Sequence, residues 1–158
     1  MSAVIDFVVP VYGGWDLVEP CLRSLLAQTV PGRIIVVDDR SPDDTADRVA
    51  AEFPQIELVR SEVNRGFAAT CNAGIELGDA PLVVLVNSDI TLDPGFAASV
   101  LDAFGAADAR VGSGAPLLHR PDGLIDSYGI CADVTMFWAR SSTGSTPATR
   151  ASRSMSRS

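Results

Sequence analysis

Four times along this chain a short apolar run gives way to a segment with helical spacing, and that alternation limits the fold more than any other feature. "VIDFVVPVY" (4–12), "RIIVVDD" (33–39), "IELVR" (56–60) and "PLVVLVN" (81–87) have the length and β-branched content of strands. Between and after them, "DLVEPCLRSLLAQ" (16–28), "SPDDTADRVAAEF" (41–53), "GFAATCNAGIELG" (66–78) and "PGFAASVLDAFGAA" (94–107) read as helices. The pattern predicts an α/β domain built on a doubly wound, mainly parallel sheet with right-handed crossovers. Residues 81–87 are apolar throughout, as in a strand covered by helices on both faces. The first helix should bury Leu17, Cys21, Leu25 and Leu26, with Pro20 in an irregular first turn. Gly78 should close the third helix, and Pro94 should be the first residue of the fourth. "RVGSGAPLLHR" and "LIDSYG" predict two more strands, joined at the turn signal "PDG".

Against this frame the placing of acid is costly. The chain carries formal charge −8, yet Asp38 and Asp39 stand side by side where the second strand ends, and "LVVLVNSDITLDPG" (82–95) repeats the layout. In doubly wound sheets ligands bind beyond the carboxyl ends of the strands. Both groups fall there, where a ligand can compensate them. Asn87 and Asp89, at i and i+2 after a buried strand, can point the same way. One carboxylate plus diphosphate oxygens is a common way to hold Mg²⁺ or Mn²⁺, although Asp89 could equally cap a turn before Pro94. Asp39 could accept from a nucleobase or ribose, or simply serve the turn "RSPDDT". "NRGFAATCNAG" (64–74) puts a glycine at a loop-to-helix junction, which suits an anion or a plain helix start. Asp6 lies inside the first strand, where alternation or an edge position would expose it. His119 receives no role, and Trp15 and Trp138 read as packing residues.

Composition excludes several classes. All 12 basic residues are Arg and the balance is acidic, which excludes non-specific nucleic-acid binding. Three scattered cysteines without a CxxC pair argue against a disulfide framework and a zinc site, and fit buried thiols in a reducing cytoplasm. The apolar runs fall short of the ~20 residues that cross a bilayer, leaving peripheral membrane association open. From Ser141 the character changes: 10 of 18 residues are Ser or Thr, three are Arg and none is acidic. The expected organisation is a folded domain over 1–140 and a disordered tail over 141–158.

Taken together, "VVPVYG" (8–13), "VVDDRSPDDT" (36–45), "NRGFAATCNAGI" (64–75) and "LVNSDITLDPG" (85–95) resemble inverting glycosyltransferases of family 2, in the family's order and spacing over about residues 3–130. The "NRGFAATCN" and "NSD" variants are most similar to its rhamnosyltransferase-like branch. The resemblance implies a GT-A-type fold, a nucleotide-diphosphate sugar donor, a saccharide or lipid-linked acceptor, and Mg²⁺ or Mn²⁺. It places Pro10 and Tyr12 at the edge of the base pocket, Asp39 facing the base and Asp38 supporting the loop. Arg65, Gly66, Asn72 and Asn87 join the nucleotide-binding set. Asp89 becomes the metal ligand of a DxD-type pair whose first member is Asn87 here.

The family's second half carries acceptor contacts and a carboxylate base, often in an "ED"-type motif, that takes the acceptor proton. After Trp138 this sequence has no Asp or Glu, and Asp126 and Asp133 come too early to match. The expectation is therefore a donor-binding half from a truncated or frameshifted gene product, without its general base. The alternative is a nucleotide-sugar-binding module without turnover. A phosphoreceiver domain is rejected because the chain has no lysine and its acid pair follows the second strand. A nicotinamide dehydrogenase is rejected because no GxGxxG follows the first.

Overall fold

The structure, a computed structural model, describes residues 3–120, 122–127, 130–132 and 138–140. They fall into two units, Met1–Ala107 and Asp108–Ser158. In the first, strands β1 (Ile5–Val11), β2 (Arg33–Asp38), β3 (Glu57–Arg60) and β4 (Leu82–Leu85) alternate with helices α1 (Trp15–Leu26), α2 (Thr45–Glu52), α3 (Phe67–Leu77) and α4 (Phe96–Ala106). The sheet order is β3-β2-β1-β4 and every pairing is parallel. The chain steps outward from β1 to β3, then crosses back to set β4 on the other side of β1. That reversal makes the sheet doubly wound, as the alternation predicts.

The two faces of the sheet are covered unequally. Ile5, Phe7, Val9 and Val11 of β1 join Ile34 and Val36 of β2 in the main core, with Val18, Leu22 and Leu25 of α1, Val49 of α2 and Ala97 of α4. On the other face α3 lies directly on β1 and β2. A Cβ on Gly74 would sit 2.3 Å from Val8 Cγ1 and 3.2 Å from Val37 Cγ2, so the absence of a side chain sets how close this helix can come. α3 does not extend its cover to β4, where Val83 and Leu85 are 39% and 50% exposed. The expectation of a strand buried on both faces thus fails for β4. Its continuous apolar run is half covered among the described residues.

Other expectations shift for identifiable reasons. α1 buries Trp15, Val18, Cys21, Leu22 and Leu25, while Leu17 and Leu26 face solvent. Starting the helix one residue earlier brings in Trp15, whose ring packs on Phe53 and lies under the Arg48 guanidinium. Pro20 is inside α1, not in an irregular first turn, and forgoes a hydrogen bond to the Asp16 carbonyl. Asp6 is fully buried because β1 is central. Its Oδ2 accepts the N–H groups of Asp79 and Ala80, and a Cβ on Gly78 would lie 2.7 Å from it. Gly78 does cap α3, in extended rather than left-handed backbone, and this close approach accounts for it. Pro94 precedes α4 by two residues, since Asp93 Oδ1 accepts the Gly95 N–H and ends the preceding loop.

In the second unit the turn signal is real but the strands are short. β5 (Leu118–His119) pairs antiparallel with β6 (Ile125–Ser127), and residues 111–117 form no strand. β7 (Ile130–Ala132) pairs with β8 (Trp138–Arg140). The expected tail over 141–158 lies outside the described residues, as do Asp133 and the side chains of Cys131 and Trp138.

Two tests follow from the packing. Gly74→Ala should destabilise the chain by about 1–3 kcal/mol through overpacking against Val8. Gly105→Ala, in α4 with nothing near its Cβ, should stabilise it by up to about 1 kcal/mol. Denaturant melts read both signs. Cys21 and Cys71 are buried, and desolvation raises both thiols, Cys21 to about 12. Neither should be alkylated by iodoacetamide at mildly alkaline pH until denaturant is added, as peptide mapping will show.

Candidate functional site: a cleft at the carboxyl rim of the sheet

The acid pair at the end of β2 is divided between two tasks. Asp38 turns inward and accepts hydrogen bonds from the Ser41 hydroxyl and the Ser41 N–H. Ser41 Oγ in turn accepts the Gly13 N–H at 2.6 Å, and Asp43 Oδ2 accepts that of Gly14 at 3.0 Å. The loop after β1 is thereby tied to the loop after β2. The nearby Thr45 side chain and the N–H groups of Gly14 and Thr45 hold the Asp43 carboxyl below its ordinary range. Asp39 serves a different partner. Its Oδ1 accepts the Arg65 N–H and its Oδ2 the Gly66 N–H, both at 2.8 Å. Like charges can stand adjacent here because each carboxylate has its own set of donors.

The Asp39 contacts place the start of α3. Gly66 has φ 82°, a backbone conformation that strains any other residue, and its N–H is shared with Asn64 Oδ1. Its carbonyl accepts both the N–H and the hydroxyl of Thr70. Between this junction and the end of β1 lies a cleft of about 190 Å³, lined by Pro10, Val11, Tyr12, Asp39, Asn64, Gly66, Phe67 and Thr70. Its volume is below the roughly 300–1,000 Å³ of a site that encloses a drug-sized ligand, so it fits one ring system with the rest of the ligand outside. Tyr12 and Phe67 are 59% and 62% exposed, so their rings are available to a planar group.

Asn87 and Asp89 follow β4 on the far side of β1. The Ile90 N–H donates to the Asn87 carbonyl, closing a turn with Ser88 and Asp89 at its centre. That carbonyl also lies 3.7 Å from Cys21 Sγ, placed to accept the thiol proton. Burial raises the Cys21 thiol, and the charge of Asp89 raises it further. Asp89 and Asn87 are exposed. Among the described residues no cluster of three or more His, Cys, Asp or Glu could hold a metal ion. A single exposed carboxylate does not make a closed cage, but it suits Mg²⁺ or Mn²⁺ that draws its other ligands from phosphate and water.

Of the residues the sequence singled out, Pro10, Tyr12, Asp39 and Gly66 come together around the cleft, and Arg65 contributes its N–H to Asp39. Asp38 supports the loop without lining the cleft. Asn72 is exposed on α3 and is not among the lining residues; Asn87 and Asp89 lie on their own loop. Asn64, Phe67 and Thr70 line the cleft, although no role was expected of them individually. Their one sequence signal is position: Asn64 and Phe67 flank "RG", and Thr70 falls one helical turn beyond Gly66.

Comparison with known proteins places this geometry. The family described as "Glycosyl transferase family 2" matches residues 6–149. The succinoglycan biosynthesis protein ExoO of Rhizobium meliloti is 33% identical over 109 residues, 68% of this chain and 31% of that protein. An N-acetylglucosaminyl-diphospho-decaprenol L-rhamnosyltransferase of Mycobacterium tuberculosis is 28% identical over 79% of this chain and 44% of its own length. Among solved structures, the mannosyltransferase PcManGT of Pyrobaculum calidifontis, in complex with GDP-Man and Mn²⁺, superposes with a TM-score of 0.65 at 25% identity. It is matched over 77% of this chain and 37% of its own. TarS of S. aureus in complex with UDP gives 0.57 at 25% identity, over 65% of this chain and 32% of its own. The chain thus spans less than half the length of these relatives, and the part it spans has a GT-A-like sheet. On the family match, which covers most of its length, the chain belongs to glycosyl transferase family 2.

Proposed function

We propose that this chain binds a nucleotide-diphosphate sugar and serves transfer of the sugar, with inversion, to a hydroxyl of a saccharide or lipid-linked acceptor. The observation that carries the reading is the cleft between β1 and the start of α3, where Asp39 and two exposed rings surround a space sized for one base. Pro10 and Tyr12 form one wall and Phe67 the other. Asp39, held by two N–H groups, keeps lone pairs for a base N–H. Asp89 with Asn87 would hold Mg²⁺ or Mn²⁺ against the diphosphate. Such a cation offsets the charge that the leaving nucleotide gains. A lysine-free, acidic chain needs that compensation more than a basic one would. The Mn²⁺ and GDP-Man of the mannosyltransferase support a divalent metal, and the rhamnosyltransferase's name supports a lipid-linked acceptor. No helix among the described residues is long and apolar enough to cross a membrane. We place the chain's work at the cytoplasmic surface, by peripheral association, as part of the same proposal.

A second reading, binding without turnover, has its own support. Inverting transfer needs a carboxylate to take the acceptor proton. Asp38 and Asp39 are both buried and engaged by donors, and neither is placed as a free base. Incubating the chain with GDP-, UDP- and dTDP-hexoses, Mn²⁺ and a disaccharide or polyprenyl-diphosphate sugar separates the two. Donor consumption with product formation supports transfer; metal-dependent binding without consumption leaves the module.

The binding site is tested more directly by two substitutions. Asp89→Ala should remove the metal-dependent part of nucleoside-diphosphate binding, about tenfold or more, while stability stays within about 0.5 kcal/mol, as for an exposed residue. Tyr12→Ala should weaken binding with and without metal by a similar factor, about 1–3 kcal/mol for a lost stacking ring. Calorimetry reads both, and unchanged affinity in either variant removes that residue from the site.

A further inference from the structure

The loop carrying Asp89 is held by a stripe of polar groups at the end of α1 and just beyond it that the base cleft does not use. Ser24 Oγ accepts the Leu92 N–H at 3.1 Å and donates to the Cys21 carbonyl at 2.7 Å. Gln28, 7% exposed, uses its whole amide: Nε2 donates to the carbonyls of Asp93 at 2.8 Å and Ser24 at 3.1 Å, and Oε1 accepts the Ala97 N–H at 2.9 Å. The N–H of Thr29 donates to the Pro94 carbonyl at 2.9 Å. At the other end of the loop the Cys21 thiol meets the Asn87 carbonyl. Cys21 and Ser24 lie in the last turns of α1 and Gln28 two residues past its end, so the end of this helix and the residues after it grip the segment 87–97 at both ends.

A buried amide with every donor and acceptor engaged is costly to misplace, because each lost partner leaves a desolvated group unpaired. The Gln28 hydrogen bonds go to Asp93 and Ala97, on either side of the entry into α4, while Cys21 meets the loop at Asn87, just after β4. Between Asn87 and Asp93 the Asp89 side chain is exposed, and among the described residues no metal-ligating cluster surrounds it. The precision of a one-carboxylate metal site therefore has to come from the backbone that carries it.

We infer that Gln28, with Ser24, is a positioning residue that sets the Asn87–Asp89 turn for the cation and diphosphate, although it touches neither. This rests on the reading of Asp89 as the metal ligand proposed above, and it separates two functions of the site. Base binding is built from β1, Asp39 and the start of α3. Metal-assisted diphosphate binding is built from the α1 stripe and the 87–97 segment. Damage to the stripe should disturb the second and spare the first.

The test titrates GDP, UDP and dTDP into the full chain by calorimetry, with and without Mn²⁺, for wild type, Gln28→Met and Ser24→Ala. Melting curves establish that each variant is folded. In wild type Mn²⁺ should strengthen binding of at least one diphosphate. In Gln28→Met that gain should fall about tenfold or more, as when a partner behind a metal ligand is removed, and in Ser24→Ala by a smaller factor. Metal-free affinity should stay within about twofold in both, a split that general loosening of the fold would not give. Should Gln28→Met fail to fold, Ser24→Ala decides alone. A full Mn²⁺ gain in the folded variants, or an equal loss of metal-free and metal-assisted binding, overturns the inference and leaves the proposed function standing. A wild-type chain showing no Mn²⁺ gain with any of the three overturns both.

Discussion

The contact on which the site depends is the pair of hydrogen bonds from the Arg65 and Gly66 N–H groups to Asp39. A charged acceptor taking two backbone donors at 2.8 Å, almost out of water, is among the stronger local interactions a protein makes. It sets the start of α3 against the end of β2, and α3 in turn is laid on Val8 and Val37 by the missing side chain of Gly74. The cleft is the space left between that fixed helix start and Tyr12. Asp38 does the complementary task below it, joining the loops after β1 and β2 through Ser41.

Much of this architecture could be read from residue pattern. Strand–helix alternation led to the parallel sheet, and the acids at strand ends pointed to the rim where the candidate cleft lies. What pattern could not supply was which face of each element is covered. Val83 and Leu85 look like core residues in sequence because β4 is uniformly apolar, and only the position of α3 over β1 and β2 shows them bare. Leu17 and Leu26 fall outside the stripe for the converse reason: the buried side of α1 is Trp15, Val18, Cys21, Leu22 and Leu25, and a pattern of several apolar residues does not say which of them face the sheet. Asp6 was read as exposed, but a central strand leaves it no water, and the N–H groups of Asp79 and Ala80 take its place.

The candidate site was legible to a similar depth. Pro10, Tyr12, Asp39 and Gly66 are individually visible because glycine, proline and acid at strand ends carry local meaning. Asn64, Phe67 and Thr70 enter only through the turn at Gly66, a long-range consequence of its bond to Asp39. Gln28 gave no signal: a glutamine near a helix end is ordinary in sequence, and two of its partners, Asp93 and Ala97, lie more than sixty residues away in the chain. Residues whose work is done on distant backbone are the ones a single sequence hides.

The account's central claim is that acid gathers at this rim because a divalent cation and a nucleoside diphosphate are held there jointly, neither site being complete alone. Linkage then requires each ligand to strengthen the other by the same factor. Electron paramagnetic resonance of Mn²⁺ titrated into the full chain, with and without GDP, UDP or dTDP, measures this directly. The account predicts weak Mn²⁺ binding by the chain alone and a marked gain with at least one diphosphate, beyond what that nucleotide binds in free solution. Mn²⁺ that binds equally with and without every nucleotide, or does not bind at all, would contradict it.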